Sequence, residues 1–205
     1  MNTKNLTRRL LYALTLSLGV LCMQATQAQD APKSAGAPQV KFVTNMGEFV
    51  VEVYPDKAPK TAENFLQYVR DKHYDGTIFH RVIANFMIQG GGYDARYIER
   101  PTRAPVMHEG LEALSKGGPR NTVGTIAMAR TNAPHSATAQ FFINVVDNGF
   151  LDPSPQQPGY TVFGKVVSGM DIVNRIRAIP TGFGGPFPSD VPRTPVVIKS
   201  ATVLP

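Results

Sequence analysis

At 205 residues, with 42% hydrophobic and 18% charged side chains, the chain is long enough for one ordinary domain with a real core and lies far from the disordered range. Its formal charge of +6 is weighted to the N-terminus: Lys4, Arg8 and Arg9 lie among the first 28 residues with no acidic residue beside them, which leaves +3 on the remainder and argues against nucleic acid as a partner. The sole cysteine, Cys22, lies there too, so the rest of the chain has no disulfide, thiol nucleophile or thiolate metal site.

Those first 28 residues read as a secretory signal peptide. Basic residues in MNTKNLTRRL precede the apolar run LLYALTLSLGVLC, which is too short for a spanning helix, and small residues end the segment at Ala28. The bulky Leu21 stands where a lipoprotein signal needs a small residue before its cysteine, so no lipid anchor is expected. Residues 29–38, QDAPKSAGAP, are expected to form a flexible leader, and the domain runs from residue 39 to 205.

VKFVTNMGEFVVEVYP alternates apolar and polar residues about TNMG, which predicts a β-hairpin turning near Asn45 to Gly47. PKTAENFLQYVRDKHYDG predicts a helix, with Thr61 as its capping residue, Phe65 and Val69 on one face and Gly76 after its end. Two short strands follow, Thr77 to Ile83 and Phe86 to Gly90, broken at Ala84 and Asn85. The glycines of QGGGYDAR are expected to serve a tight turn. Residues 92–120, with several prolines and glycines, read as loops with one helical turn around Leu111 to Leu114. VGTIAMAR and AQFFINVV are strands joined by the polar TNAPHSAT, YTVFGKVV is another, GMDIVNRIRAI is a second helix and PVVIKSATVLP a closing strand. About eight short strands and two helices predict a mainly β fold, a closed eight-stranded antiparallel β-barrel capped by two α-helices.

The chemistry-bearing residues exclude more than they select. The four histidines, His73, His80, His108 and His135, show no HExxH spacing, so no metal is expected; QGGGYDAR lacks the Lys-Ser/Thr of a phosphate-binding loop; and no G-x-S-x-G elbow is present. What stands out is FHRVIANFMIQGG, an apolar run with an arginine inside it. Strand alternation places Phe79, Arg81 and Ile83 on one face, Met87 and Gln89 opposite Ile88 and Gly90, and Gln140 and Phe142 opposite Phe141 and Ile143. From the residues alone, Arg81 pointing to solvent from a barrel face and Phe86 and Phe142 as plain core remain open readings.

FHRVIANFMIQGG, GTIAMAR, SATAQFFINV, NGFLD and YTVFGKVVSGMDIV, in that order over Val40 to Leu204, resemble the cyclophilin family of peptidyl-prolyl isomerases, and their exported bacterial branch in particular. The resemblance implies an isomerase acting on X-Pro bonds of exported, periplasmic polypeptides, without a cofactor, monomeric, and free of the membrane after signal cleavage. It implies a groove in which Arg81, Gln89 and Gln140 are catalytic and Phe86, Met87, Ala129, Arg130, Phe142, Phe150, Leu151 and Tyr160 bind substrate. Phe150 and Tyr160 stand where the best-known eukaryotic members have Trp and His, so weak cyclosporin binding is expected: phenylalanine lacks the indole N–H. A proline-binding module without turnover and a scaffold with a vestigial groove are the competing classes.

Overall fold

Alternation in the first hairpin sorts its side chains as the pleat requires. In β1 (Gln39–Thr44) and β2 (Gly47–Val53), Val40, Phe42, Thr44, Phe49, Val51 and Val53 are buried, and the alternate residues Lys41, Val43, Val50 and Glu52 are not. Asn45 and Met46 form the turn, with the Thr44 hydroxyl accepting from the Met46 N–H at 3.0 Å. The computed structural model describes residues 36–205; the expected signal segment 1–28 and residues 29–35 of the expected leader lie outside the described residues.

Helix α1 (Pro59–Arg70) buries Phe65 and Val69 as its periodicity predicts, with Leu66 beside them, but Thr61 does not cap it. Pro59 opens the helix. The carboxylate of Glu109, far along the chain and buried, accepts from the Lys60 and Thr61 N–H groups at 3.1 and 2.7 Å and from the Thr61 hydroxyl at 2.7 Å. An acid at a helix N-terminus satisfies orphan donors and meets the positive end of the dipole. The helix also stops earlier than Gly76 suggests, at Arg70, with turns filling the interval.

Strand β3 (Thr77–Ile83) has the predicted limits, while β4 (Met87–Asp94) runs on through the three glycines, which therefore sit in a strand and not in a tight turn. They serve close approach instead: a Cβ on Gly92 would lie 2.5 Å from the Gln140 side chain. The predicted helical turn is the short helix α2 (Gly110–Ser115), and β5 (Thr125–Met128), β6 (Phe141–Asn144), β7 (Val162–Ser168) and α3 (Met170–Arg177) fall where expected. Two further strands, β8 (Thr181–Gly184) and β9 (Phe187–Pro192), form a separate hairpin that the pattern did not predict, before the closing strand β10 (Ile198–Val203).

Eight strands form one antiparallel sheet in the order β10-β1-β2-β7-β5-β6-β4-β3. It curls into a barrel that is nearly, not fully, closed. The seam between β3 and β10 is held by a bridge between Ile78 and Val197, with the Gly76 and Phe79 N–H groups donating to Ile198 and Val196 at 2.7 and 3.0 Å. Pro195 has no N–H to extend that ladder, and the β3 register is itself interrupted beside it. Inside, Phe42, Phe49, Phe65, Tyr74, Phe79, Phe141 and Phe163 pack ring against ring, joined by Ile172, Val173 and Ile176 of α3. With each buried aromatic or aliphatic side chain contributing about 1.5–3 kcal/mol, such a core explains how a domain without disulfides holds together.

Candidate active site

One extra residue in β3 decides where Arg81 points. Phe79 pairs with Gly90 and Arg81 with Gln89, so His80 is a bulge with no partner opposite it. Simple alternation would put Phe79 and Arg81 on one face. The bulge reverses parity between them: Phe79 and Val82 enter the core, whereas Arg81 and Ile83 turn outward. Beyond the Ala84–Asn85 break, alternation resumes with Ile88 inside and Met87 outside.

The ladder then aligns a row across the outer face: Arg81 opposite Gln89, Gln89 opposite Phe142, Phe142 opposite Ala127. Met87, Ala127, Phe142, Leu151 and Val162 form an apolar cluster separate from the barrel core, with Ile83, Phe86, Ala129 and Tyr160 packed against it. A groove of about 740 Å³ lies over this cluster, and Arg81, Phe86, Met87, Gln89, Ala129, Arg130, Gln140, Phe142, Leu151 and Tyr160 all line it. The remaining expected residue, Phe150, is 65% exposed and stacks on Phe86 with ring centres 5.7 Å apart, outside the lining.

Polar side chains fix this geometry. Gln89 donates to Gln140 at 3.0 Å. Arg130 donates through Nε and Nη2 to the Gly159 carbonyl at 3.0 and 2.8 Å and lies 4.6 Å over the Tyr160 ring, which stands edge-on to Phe142. Beneath the floor, Asn148 donates to the Phe86 carbonyl and to Asn144, and Asp152 accepts from the Asn121 N–H and amide. This buried network holds the 3-10 turn Gly149–Leu151, and with it Leu151, against the Phe86 loop.

The hairpin β8–β9 supplies a wall that sequence reasoning missed. Phe187, Pro188, Ser189 and Asp190 line the groove beside His80 and Tyr93, and the Asp190 Oδ2 lies 3.7 Å from Arg81 Nε. The one available signal was GFGGPF, two apolar residues around Gly184, Gly185 and Pro186, with Gly185 at φ 51°.

His80 lies beneath Phe187, 3% exposed, and among the described residues its Nδ1 has no hydrogen-bond partner. Burial first, and the neighbouring Arg81 charge second, lower its pKa to about 4. The imidazole is therefore neutral from pH 6 to 8, and turnover at this site is expected to be flat over that range, which initial rates at constant ionic strength would check. Stability behaves differently. The unfolded chain takes up this proton near pH 6.5 and the folded chain only near 4, so the His80 contribution is complete above pH 6.5 and about 3 kcal/mol is lost as pH falls through 4. Burial lowers His73 and His108 as well, with the same sign. Thermal melts between pH 7 and 4 should show the decline, and His80→Phe should blunt it.

Among the described residues no group of three or more His, Cys, Asp or Glu is placed to hold a metal ion, and no helix is long and apolar enough to cross a membrane. The family described as cyclophilin type peptidyl-prolyl cis-trans isomerase matches residues 39–203. The chain is 52% identical over 167 residues to peptidyl-prolyl cis-trans isomerase B of Escherichia coli, covering 80% of this chain and 98% of that one. It is 41% identical over 189 residues to peptidyl-prolyl cis-trans isomerase A of Dickeya dadantii, covering 92% and 96%. Its fold is similar to the crystal structure of a cyclophilin type isomerase from Cryptosporidium parvum, with a TM-score of 0.64 at 24% identity over 82% of this chain and 98% of that one. With the family matched over nearly the whole described domain and relatives at half identity bearing the activity's name, the chain belongs to the cyclophilin-type peptidyl-prolyl cis-trans isomerases.

Proposed function

We propose that the groove speeds rotation about X-Pro bonds by stabilising the twisted amide, that Arg81 acts on that amide, and that the substrates are exported, incompletely folded polypeptides in the periplasm. The observation that carries the reading is the outer-face row Arg81, Gln89, Phe142, Ala127, which sets one guanidinium at the edge of an apolar patch fit for a proline ring. Amide resonance resists rotation by roughly 20 kcal/mol. Twisting breaks the resonance and returns the lone pair to the proline nitrogen, so a cationic donor aimed there binds the twisted state better than either planar isomer. No covalent bond breaks, no proton is transferred and no cofactor is needed.

A guanidinium offers a permanent charge and a rigid fork of donors, and the neighbouring apolar wall weakens screening of that charge. Phe86, Met87, Phe142 and Leu151 receive the proline ring. Gln89, steadied by Gln140, grips the peptide beside it. The Ala129 N–H is taken by the Gln140 carbonyl, which leaves the Ala129 carbonyl for a substrate N–H. The Arg130 side chain is committed to Gly159 and Tyr160, so it shapes the wall. Gln140 reaches Gln89 and not Arg81, and its role is to orient that amide. Phe150, without an N–H donor, makes cyclosporin a weak ligand, and the protein works as a monomer.

Exchange NMR on a peptide with one X-Pro bond tests the reading: catalytic amounts of the chain should bring cis and trans signals into fast exchange, and exported material should begin at Gln29 by mass. Binding shifts without faster exchange would instead identify a proline-binding module.

A further inference from the structure

The guanidinium of Arg81 finds little restraint in its own sheet. Its cross-strand neighbour Gln89 is bonded to Gln140, so these two amides satisfy each other. The group that reaches Arg81 comes from outside the barrel: Asp190 Oδ2 lies 3.7 Å from Nε, with 44% of the arginine and 34% of the aspartate side chain exposed. Asp190 is carried by β9 at φ 66°, a left-handed conformation that Asp tolerates better than most residues. Phe187, on the same strand, stacks on His80 at 5.2 Å and stands edge-on to Tyr93 at 5.0 Å. His80 is the bulge that turns Arg81 outward. The hairpin thus presses on the bulge with one residue and meets the guanidinium with another three positions later.

We propose that Asp190 is a positioning residue for the isomerisation: it engages Arg81 on the Nε side and leaves the terminal nitrogens free for the groove. The inference rests on the reading that Arg81 acts on the twisted bond. A half-exposed pair at this distance adds little to stability. Its effect is to restrict a long side chain that would otherwise sample many rotamers, and misplacement of a catalytic group by an ångström can cost about a hundredfold in rate.

The experiment compares the full chain with Asp190→Asn, Asp190→Glu and Arg81→Ala on neutral, basic and acidic X-Pro peptides, with melting temperatures measured alongside. The Asn variant should lose about tenfold in kcat on all three peptides, with KM changed by less than about twofold and melting unchanged. Asp190→Glu should recover most of that loss. Added salt should slow the wild type more than the Asn variant, because an exposed pair is screened. Wild-type kcat in the Asn variant, no rescue by Glu, or a loss confined to basic peptides would overturn the proposal, the last by making Asp190 a charge-selecting subsite. If Arg81→Ala abolishes turnover and Asp190→Asn does not, this inference alone fails; if neither does, the reading of Arg81 fails first.

Discussion

Arg81→Ala should slow catalysed X-Pro exchange by about a hundredfold or more while the peptide still binds, because in the proposed mechanism the charge it removes acts on the twisted amide and not on the planar ground state. Binding survives because the apolar cluster under the groove does not include Arg81. The fold survives as well. The side chain is 44% exposed and its ion pair with Asp190 is partly solvated, so the variant should unfold within about 1 kcal/mol of the wild type. Arg81→Lys keeps the charge but loses the planar fork, and an intermediate rate is expected. Exchange NMR gives the rate, and shift changes on titration give the affinity. Unaltered exchange in the Ala variant would refute the arginine mechanism.

Phe142→Ala attacks the other half of the site and should remove binding and exchange together. Phe142 is 4% exposed within the outer cluster, and Tyr160 stands edge-on to it at 5.4 Å with Arg130 lying over Tyr160 in turn. Truncation deletes the pocket wall and the surface against which that pair rests. A buried Phe→Ala change also costs about 3–5 kcal/mol, so a denaturant curve is part of the experiment. Phe142→Leu separates the two effects: it retains apolar volume and the fold, and it should keep part of the affinity. An Ala variant that stays folded with wild-type affinity and exchange would mean that proline sits elsewhere.

Much of the barrel was legible because its signals are local. Alternation marked the first hairpin, apolar runs between turn residues marked the other six sheet strands, and Phe65, Val69, Val173 and Ile176 marked the helix faces. What escaped depends on contacts between distant segments. Thr61 looks like a cap in sequence, but the carboxylate that satisfies the helix start belongs to Glu109. The glycines after Gln89 look like a turn, yet they are thin so that Gln140 can lie on Gly92. Parity failed at Phe79 because a bulge is one residue long and leaves no trace in periodicity. For the site, ten of the eleven residues implied by the resemblance line one groove and Phe150 flanks it, whereas Phe187 and Asp190 lay in a stretch with no apolar alternation to identify it.

The pairing of β1 with β10 joins residues 39–44 to residues 198–203, and β9 delivers Asp190 only shortly before that. A polypeptide made amino end first therefore exposes β1 with one bare edge until residues 198–203 are available to cover it. Neither the sheet nor the groove can be finished before β9 and β10 are free to pair. The groove therefore gains its outer wall, and the sheet its last strand, from the same late stretch of chain, so cleft and barrel are completed almost together.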